Sequence, residues 1–443
     1  MKFDLKMDYG SKTIINKLME NGYEGYIVGG CVRDLIMGIT PKDFDITTDC
    51  TPDKVTEIFK DSFNVIPTGE KYGTVTIIID KIPYEVTTYR KEGDYKDNRH
   101  PEKVEYQSEL SFDLARRDFT INAMAYNEKD GLVDLYGGVL DVKNKILRAV
   151  GDANIRFNED ALRIIRAYRF ASRYNLTIER KTLSAIYINL HLLKTIASER
   201  IIKELKEIFE NDYDIFNMAF IEVLIPELSK CFECEQNTKY HLYSVGEHIY
   251  NSFNEVKPVF HLKLAMLLHD IGKPYVKTTD DKGCDHFYTH SQKSKEISDI
   301  VLRRLKVDNK TRKRVLTLVE YHDVKFKCDK FNIKCMLNKL SKEVFDDLIE
   351  VRLADERAKN LAYTKENIDL IEKCIELKEE IIRNDEVYSI KQLDVTGDDI
   401  KKEFKVKGEI VGRVLNRLLE VCMVDDSLNK REILLEKARE FVK

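Results

Sequence analysis

No apolar run in this 443-residue chain approaches the roughly 20 residues needed to cross a bilayer, so a helical membrane span is excluded. The opening stretch MKFDLKMDYG is charged and lacks a secretory apolar core, and a cytoplasmic protein is expected. A disulfide framework is missing too, because the 9 cysteines are odd in number and irregularly spaced, as befits reduced thiols. Cys231 and Cys234 form a CxxC without a second pair or a nearby histidine, so buried or half-exposed thiols are expected there rather than a zinc site. Positive charge is not in excess: 73 Lys and Arg face 77 Asp and Glu, for a formal net charge of −4. That balance does not exclude a nucleic-acid partner, since phosphate binding needs only a local basic surface that acidic regions elsewhere mask in the sum. A solenoid is not expected either, as no repeat with a period of about 20 to 50 residues is visible.

The chain is too long for one ordinary core. Up to about residue 150 it mixes helix signals with short runs rich in β-branched and aromatic residues, YIVGG, DFDITT, TVTIII and YEVTTYR, which read as strands. From Gly151 the strands are expected to stop, and segments such as ALRIIRAYRFASRY and RIIKELKEIF repeat apolar residues every three or four positions. The pattern predicts a mixed head of strands and helices carrying a long all-α body. Lys91 to Ser108, KEGDYKDNRHPEKVEYQS, reads as a long mobile loop, and loops of that length in compact domains are commonly lids.

The stretch GGCVRDLIMGITPKDFDI, Gly29 to Ile46, holds the densest chemistry. A strand ending at Gly29 and Gly30 and followed by a helix start lets backbone N–H groups approach a phosphate, although a Gly-Gly pair also serves as a plain turn. Asp43 and Asp45 alternate with Phe44, so both carboxylates share one face of an extended segment while Phe44 points inward. Two carboxylates about 7 Å apart repel unless a cation lies between them, and magnesium (Mg2+) is the natural hard cation. The plainer reading is a pair of surface aspartates near a turn. Glu85, on the expected neighbouring strand YEVTTYR, would complete a triad able to hold two metals for in-line nucleotidyl transfer, with Arg33 reaching the triphosphate.

GGxVRD, DFDITT, RRDFTINAMA (Arg116 to Ala125), DLYGG (Asp134 to Gly138), EDALRIIRAYRF (Glu159 to Phe170) and SERI (Ser198 to Ile201) follow one another along the chain. In order and spacing this series resembles the class II tRNA nucleotidyltransferases, the CCA-adding enzymes and their bacterial poly(A) polymerase relatives. The resemblance implies an α+β chain: a polymerase-β-like nucleotidyltransferase head (1–150), a helical neck with the nucleotide-selecting helix (151–225), a helical body (226–360) and a helical tRNA-binding tail (361–443). It also implies magnesium, CTP, ATP and tRNA. By motif position Asp43 and Asp45 are metal ligands and Glu85 the third carboxylate; Gly29, Gly30, Arg33 and Arg117 contact the nucleotide, and Asp118 lies near its ribose.

The resemblance places base selection on EDALRIIRAYRF, where Asp160, Arg163, Arg166 and Arg169 recur every three residues as a polar row while Leu162 and Ile165 face the core. A carboxylate only accepts hydrogen bonds and a guanidinium only donates. Cytosine and adenine both show an amino donor beside a ring-nitrogen acceptor, and uracil and guanine show the reverse. Asp160 with Arg163 would accept C and A and reject U and G, so the protein would act as its own template. A salt-bridged exposed helix face is the alternative. The loop Lys91 to Ser108, with Arg99 and flanking Arg90, is the expected device for switching from C to A.

A second constellation lies further on: His248, His269, Asp270, His286, His290, His322, Asp323 and Asp355. Imidazoles and carboxylates in this mixture suit a divalent transition metal. The ordered set His248, His269, Asp270, His290, His322 and Asp355 resembles the HD phosphohydrolase superfamily, except that His322 is followed by Asp323 where a binuclear member has a second histidine. The segment QLDVTGDDIKKEFKVKGEIVGRVLNRLLE resembles the tail of bacterial members, and Lys401, Lys402, Lys405 and Lys407 form a basic patch for RNA phosphates, or else one side of a solvated amphipathic helix. CCA addition is the expected activity. The alternatives are restricted addition of C, A or poly(A), phosphohydrolysis of RNA ends by the body, and RNA binding without turnover.

Overall fold

The computed structural model describes residues 4–69, 73–92, 104–215, 217–325 and 327–442. The chain divides into two compact units, Met1–Leu224 and Ile225–Lys443.

The first unit is built on a seven-stranded sheet of β1 (Gly25–Val28), β2 (Ile46–Thr48), β3 (Asn64–Gly69), β4 (Thr74–Ile79), β5 (Ile82–Thr88), β8 (Met124–Asn127) and β9 (Gly131–Asp134), in the order β3-β4-β5-β2-β1-β8-β9. Between them β6 (Arg90–Glu92) and β7 (Val104–Tyr106) form a separate antiparallel ribbon. The sheet is antiparallel except where β2 runs parallel to β5 with Ile46 opposite Val86. The helix Tyr9–Glu20 is capped by the Asp8 carboxylate and lays Ile14, Ile15 and Leu18 into the core beside Ile27, Val75, Ile77 and Val86. Burying each such side chain contributes about 1.5–3 kcal/mol.

Three local expectations change. DFDITT forms only a short strand: β2 starts at Ile46, and Asp43 to Asp45 precede it as irregular chain. The alternation survives nonetheless, because Phe44 is half-buried against the core and both aspartates are exposed. Lys91 to Ser108 is not loop throughout, since its ends pair as β6 and β7, where Val104 and Tyr106 favour extended chain. Residues 93–103, with Arg99, lie outside the described residues. Strands also continue past Gly151: Thr177–Ile178 pairs parallel with Ile146–Leu147, and Thr278–Thr279 pairs with Asp285–His286.

Also in the first unit, the helix Leu162–Tyr174 packs against Ser198–Glu210. In the second unit the helix Phe260–Leu268 is buried almost all round, and Val245–Glu255, His290–Arg304, Asn309–Tyr321 and Lys342–Arg357 pack around it. Gly272 lets the chain after this helix press onto the next one; a Cβ there would lie 2.4 Å from the Ser294 amide nitrogen. The helices Gly397–Phe404, Glu409–Val424 and Arg431–Phe441 share a separate core that includes Ile400, Val414, Leu418 and Leu434. No helix among the described residues is long and apolar enough to cross a membrane.

Candidate functional site

In the first unit the parallel pairing of β2 with β5 sets Asp45, one residue before Ile46, beside Glu85, one residue before Val86, and both side chains are exposed. The Asp45 carbonyl accepts from the Val28 amide at 2.9 Å, which fixes its backbone next to the glycine turn. Although the Asp45 side chain keeps contact with solvent, partial loss of hydration first, then repulsion by Asp43 and Glu85, raises its carboxyl to about 6 against the pull of Arg117. A raised carboxyl amid like charges is what a cation site shows when only protons compete for it. Among the described residues, Asp43, Asp45 and Glu85 do not converge within 4.8 Å as one set.

Gly29 adopts φ +80°, and a Cβ there would sit 2.6 Å from the Arg117 Nη1. The positive φ is what calls for glycine there, and the missing Cβ lets the Arg117 guanidinium lie on the turn. Asp113, fully buried, holds Arg116 at 2.6 Å and Arg117 at 3.0 Å. Burial would raise its carboxyl, but the two guanidinium groups outweigh burial and hold it at about 2.

The other arginines are more tightly engaged than their motifs suggested. Arg33 is buried and donates to Asp34 at 2.7 Å, Asn122 at 2.5 Å and the Tyr174 hydroxyl at 2.5 Å, so it joins the Gly30–Ile36 helix to Leu162–Tyr174. Asp118 is buried and accepts from Arg166 at 2.7 Å and Asn122 at 3.0 Å; Arg166 and Asn122 overcome the effect of burial and hold its carboxyl at about 2.

Asp160 and Arg163 do not pair with each other. Asp160 precedes the Leu162–Tyr174 helix, accepts from the Leu162 amide and is gripped by Arg200 through two bonds of 2.7 and 3.1 Å. Arg163 donates to Glu159 at 2.8 Å and to the Arg116 carbonyl at 2.9 Å, and Arg169 pairs with Glu204 at 2.6 Å. Half of the expected polar row is internal: Arg163 and Arg169 are buried with each charge matched, while Asp160 and Arg166 are half-buried. Arg200, Glu204 and Asp113 are functional partners that the motif pattern does not single out. Arg200 stood inside the SERI motif, which was the one available signal.

In the second unit all six histidine and aspartate positions gather. His269 and His322 sit at the ends of helices, where the last carbonyls have no intrahelical donor. Their Nδ1 atoms donate to the Met266 and Val319 carbonyls at 2.7 and 2.8 Å, and that of His290 donates to the Phe287 carbonyl at 2.8 Å. A carbonyl only accepts, so each Nδ1 carries the proton and each Nε2 is left to face inward. His290 and His322 Nε2 lie 3.2 Å apart, and 3.4 and 3.5 Å from Asp270 Oδ1, itself buried without a hydrogen-bond donor. Lone pairs converging in this way fit a cation. His248, His269 and Asp270 form a second compact trio, with Asp270 common to both. Asp355 Oδ1 lies 2.9 Å from His248 Nε2 and 3.7 Å from His269 Nε2, so it meets the inward-facing nitrogens of that trio. Burial disfavours a charged His269, but Asp270 and Asp355 outweigh it and raise that ring to about 9. Lys273 and Lys359, absent from the expected set, bind Asp270 at 2.6 Å and Asp355 at 2.7 Å. Lys273 was legible in HDIGKP, three residues beyond Asp270.

Cys231 and Cys234 are buried thiols. Lys401, Lys402, Lys405 and Lys407 are exposed, with Lys401 paired to Asp398 at 2.8 Å.

Known proteins share these features piece by piece. Residues 25–148 match the Poly A polymerase head domain, 175–231 the probable RNA and SrmB- binding site of polymerase A, and 238–376 the HD domain. By fold and site this is a nucleotidyltransferase of the polymerase-head class that carries an HD domain. A CCA-adding enzyme of Ligilactobacillus salivarius is 33% identical over 431 residues, 97% of this chain and 95% of the relative. One of Oceanobacillus iheyensis is 41% identical over 269 residues, 60% of this chain and 66% of the relative. The Bacillus stearothermophilus CCA-adding enzyme in complex with CTP superposes with a TM-score of 0.67 at 24% identity, covering 98% of this chain and 99% of that one, a likeness of fold. The chain belongs to the family of CCA-adding enzymes.

Proposed function

We propose that the chain adds C, C and A in turn to tRNA 3′ ends, from CTP twice and ATP once, with release of pyrophosphate. The observation that carries this is the parallel β2–β5 register, which brings Asp45 beside Glu85 next to the Gly29–Gly30 turn. Asp43, Asp45 and Glu85 would hold magnesium, which when bound supplies activation of the attacking hydroxyl and neutralises charge on the leaving pyrophosphate. The chain's own groups do the rest. The Gly29–Gly30 backbone offers close approach to phosphate, and Arg117, pinned by Asp113, sets positive charge beside it. Arg33, Asp118 and Arg166 tie this turn to the selecting helix, and Arg169 ties that helix to Ser198–Glu210 through Glu204, so all four act by positioning.

Asp160 and Arg163 are the proposed readers of the base. The Leu162 amide and Arg200 both donate to Asp160 Oδ1, whereas Oδ2 accepts from Arg200 alone and keeps a lone pair for a base amino group. Arg163, oriented by Glu159, keeps N–H donors for a ring nitrogen. The four tail lysines are proposed to meet tRNA phosphates. The test uses tRNAs ending before the first C, the second C and the final A, each given one nucleotide with magnesium. CTP is expected to extend the first two and ATP only the third. C-only, A-only or poly(A) products would replace this reading with restricted addition.

A second reading concerns the body. The proton-free Nε2 atoms of His290 and His322 aimed at the bare Asp270 oxygen favour a bound divalent transition metal and phosphohydrolysis of RNA ends. In protein carrying Asp43→Asn and Asp45→Asn, which silences the head, calorimetry should detect manganese binding. Asp270→Ala should weaken it more than about 100-fold, because both trios share that carboxylate. Absence of binding before that substitution would leave the body a scaffold.

A further inference from the structure

The HD cluster forms the floor of a cavity of about 580 Å³ whose wall includes His286 and Tyr288. These two rings stack in parallel, 7° between planes and 5.4 Å between centroids. Tyr288 is 72% exposed, although a tyrosine ring ordinarily hides its apolar faces. Its inner face is covered by His286, so the outer face is free for a planar group.

The backbone couples this platform to the cluster. Thr289, between Tyr288 and His290, has φ +63°, in the left-handed region that a β-branched residue rarely enters. Across this turn the chain sends Tyr288 outward and His290 inward to Asp270, while the Phe287 carbonyl fixes the His290 ring. His286 is itself held by Asp280 at 3.1 Å. A phosphate seated at His290 and Asp270 would therefore carry its organic part along the wall where Tyr288 stands. Tyr240, 43% exposed, also lines that cavity.

We propose that Tyr288, backed by His286, is a stacking platform for a nucleobase, and that the cavity selects nucleotides over base-free phosphate esters. This rests on the phosphohydrolase reading of the same cavity. A stacked base adds affinity through its π face whatever its identity, and removing the aromatic partner loses about 5- to 160-fold per base.

The test is equilibrium binding of AMP and of ribose 5-phosphate, which differ only in the base, to full-length protein carrying Asp43→Asn and Asp45→Asn, with manganese present. AMP is expected to bind about tenfold or more tightly than ribose 5-phosphate. Tyr288→Ala should bring the ratio close to one by weakening AMP alone, and Tyr288→Trp should restore it. Equal binding of both probes before substitution, or an unchanged ratio in Tyr288→Ala, overturns the platform. Failure of the underlying reading looks different: His269→Ala with Asp270→Ala would then leave the affinity of ribose 5-phosphate unchanged. Tyr288 supports no core, so its replacement spares the fold.

Discussion

Replacing Asp45 by asparagine is expected to lower nucleotide incorporation by about 10²- to 10³-fold, the scale on which removal of one electrostatic group from a transition-state site acts. tRNA affinity should not change, because the proposed RNA contacts lie elsewhere. The effect is large because Asp45 stands between Asp43 and Glu85, and an uncharged amide there weakens the hold on magnesium from both sides. The parent enzyme carries a companion signature in its pH profile. The Asp45 carboxyl lies at about 6, raised by lost hydration and by its acidic neighbours. The ionised form binds the metal, so the rate at subsaturating magnesium should fall as pH drops through 6. Between pH 7 and pH 5 the ionised fraction falls by about tenfold, and the rate should follow. Excess magnesium should move the fall to lower pH, since metal and proton compete. A rate indifferent to pH over this range, or Asp45→Asn retaining normal incorporation, would refute the metal-ligand role. Stability should move the other way: a carboxyl raised on folding opposes the fold once ionised, so Asp45→Asn should unfold no more readily than the parent at pH 7.

The second large effect concerns fidelity. Asp160→Ala should reduce the preference for C and A over U and G from the order of 10⁴ towards about tenfold, measured as the ratio of kcat/KM for single-nucleotide addition. A site built to hydrogen-bond a base edge rejects the wrong edge because its own polar groups are left unpaired; without the carboxylate, no acceptor enforces the amino group. Because Asp160 also anchors Arg200, the substitution alone confounds reading with anchoring. Arg200→Ala separates the two. It leaves the acceptor in place but unbraced, so the rate should drop while most of the base preference persists. If Asp160→Ala keeps full preference, the reader lies elsewhere.

The pair thought to read the base shows where inference from sequence ends. Asp160 and Arg163 are close in sequence and complementary in charge, yet each is held by another partner, Arg200 from 40 positions away and Glu159 from four. Arg33 likewise engages Tyr174, 141 positions along the chain. Coulomb attraction is nearly indifferent to which of several opposite charges is chosen, so packing makes the choice. The HD ligands were legible as residues, but not the fact that Asp270 serves both trios, nor the turning of three Nδ1 atoms onto carbonyls.

What the sequence by itself determined is local. Side-chain alternation put Asp43 and Asp45 on one side of Phe44, β-branched runs defined β1, β4 and β5, and the glycine at 29 followed from backbone freedom. These features depend on sterics within a few residues, so a short window contains them. The tertiary structure alone decided that β2 pairs parallel to β5 with Ile46 opposite Val86, that Arg117 rests on Gly29, and which distant charges the selecting helix engages. Those outcomes compare the packing and desolvation of distant segments, and only the closed chain makes that comparison.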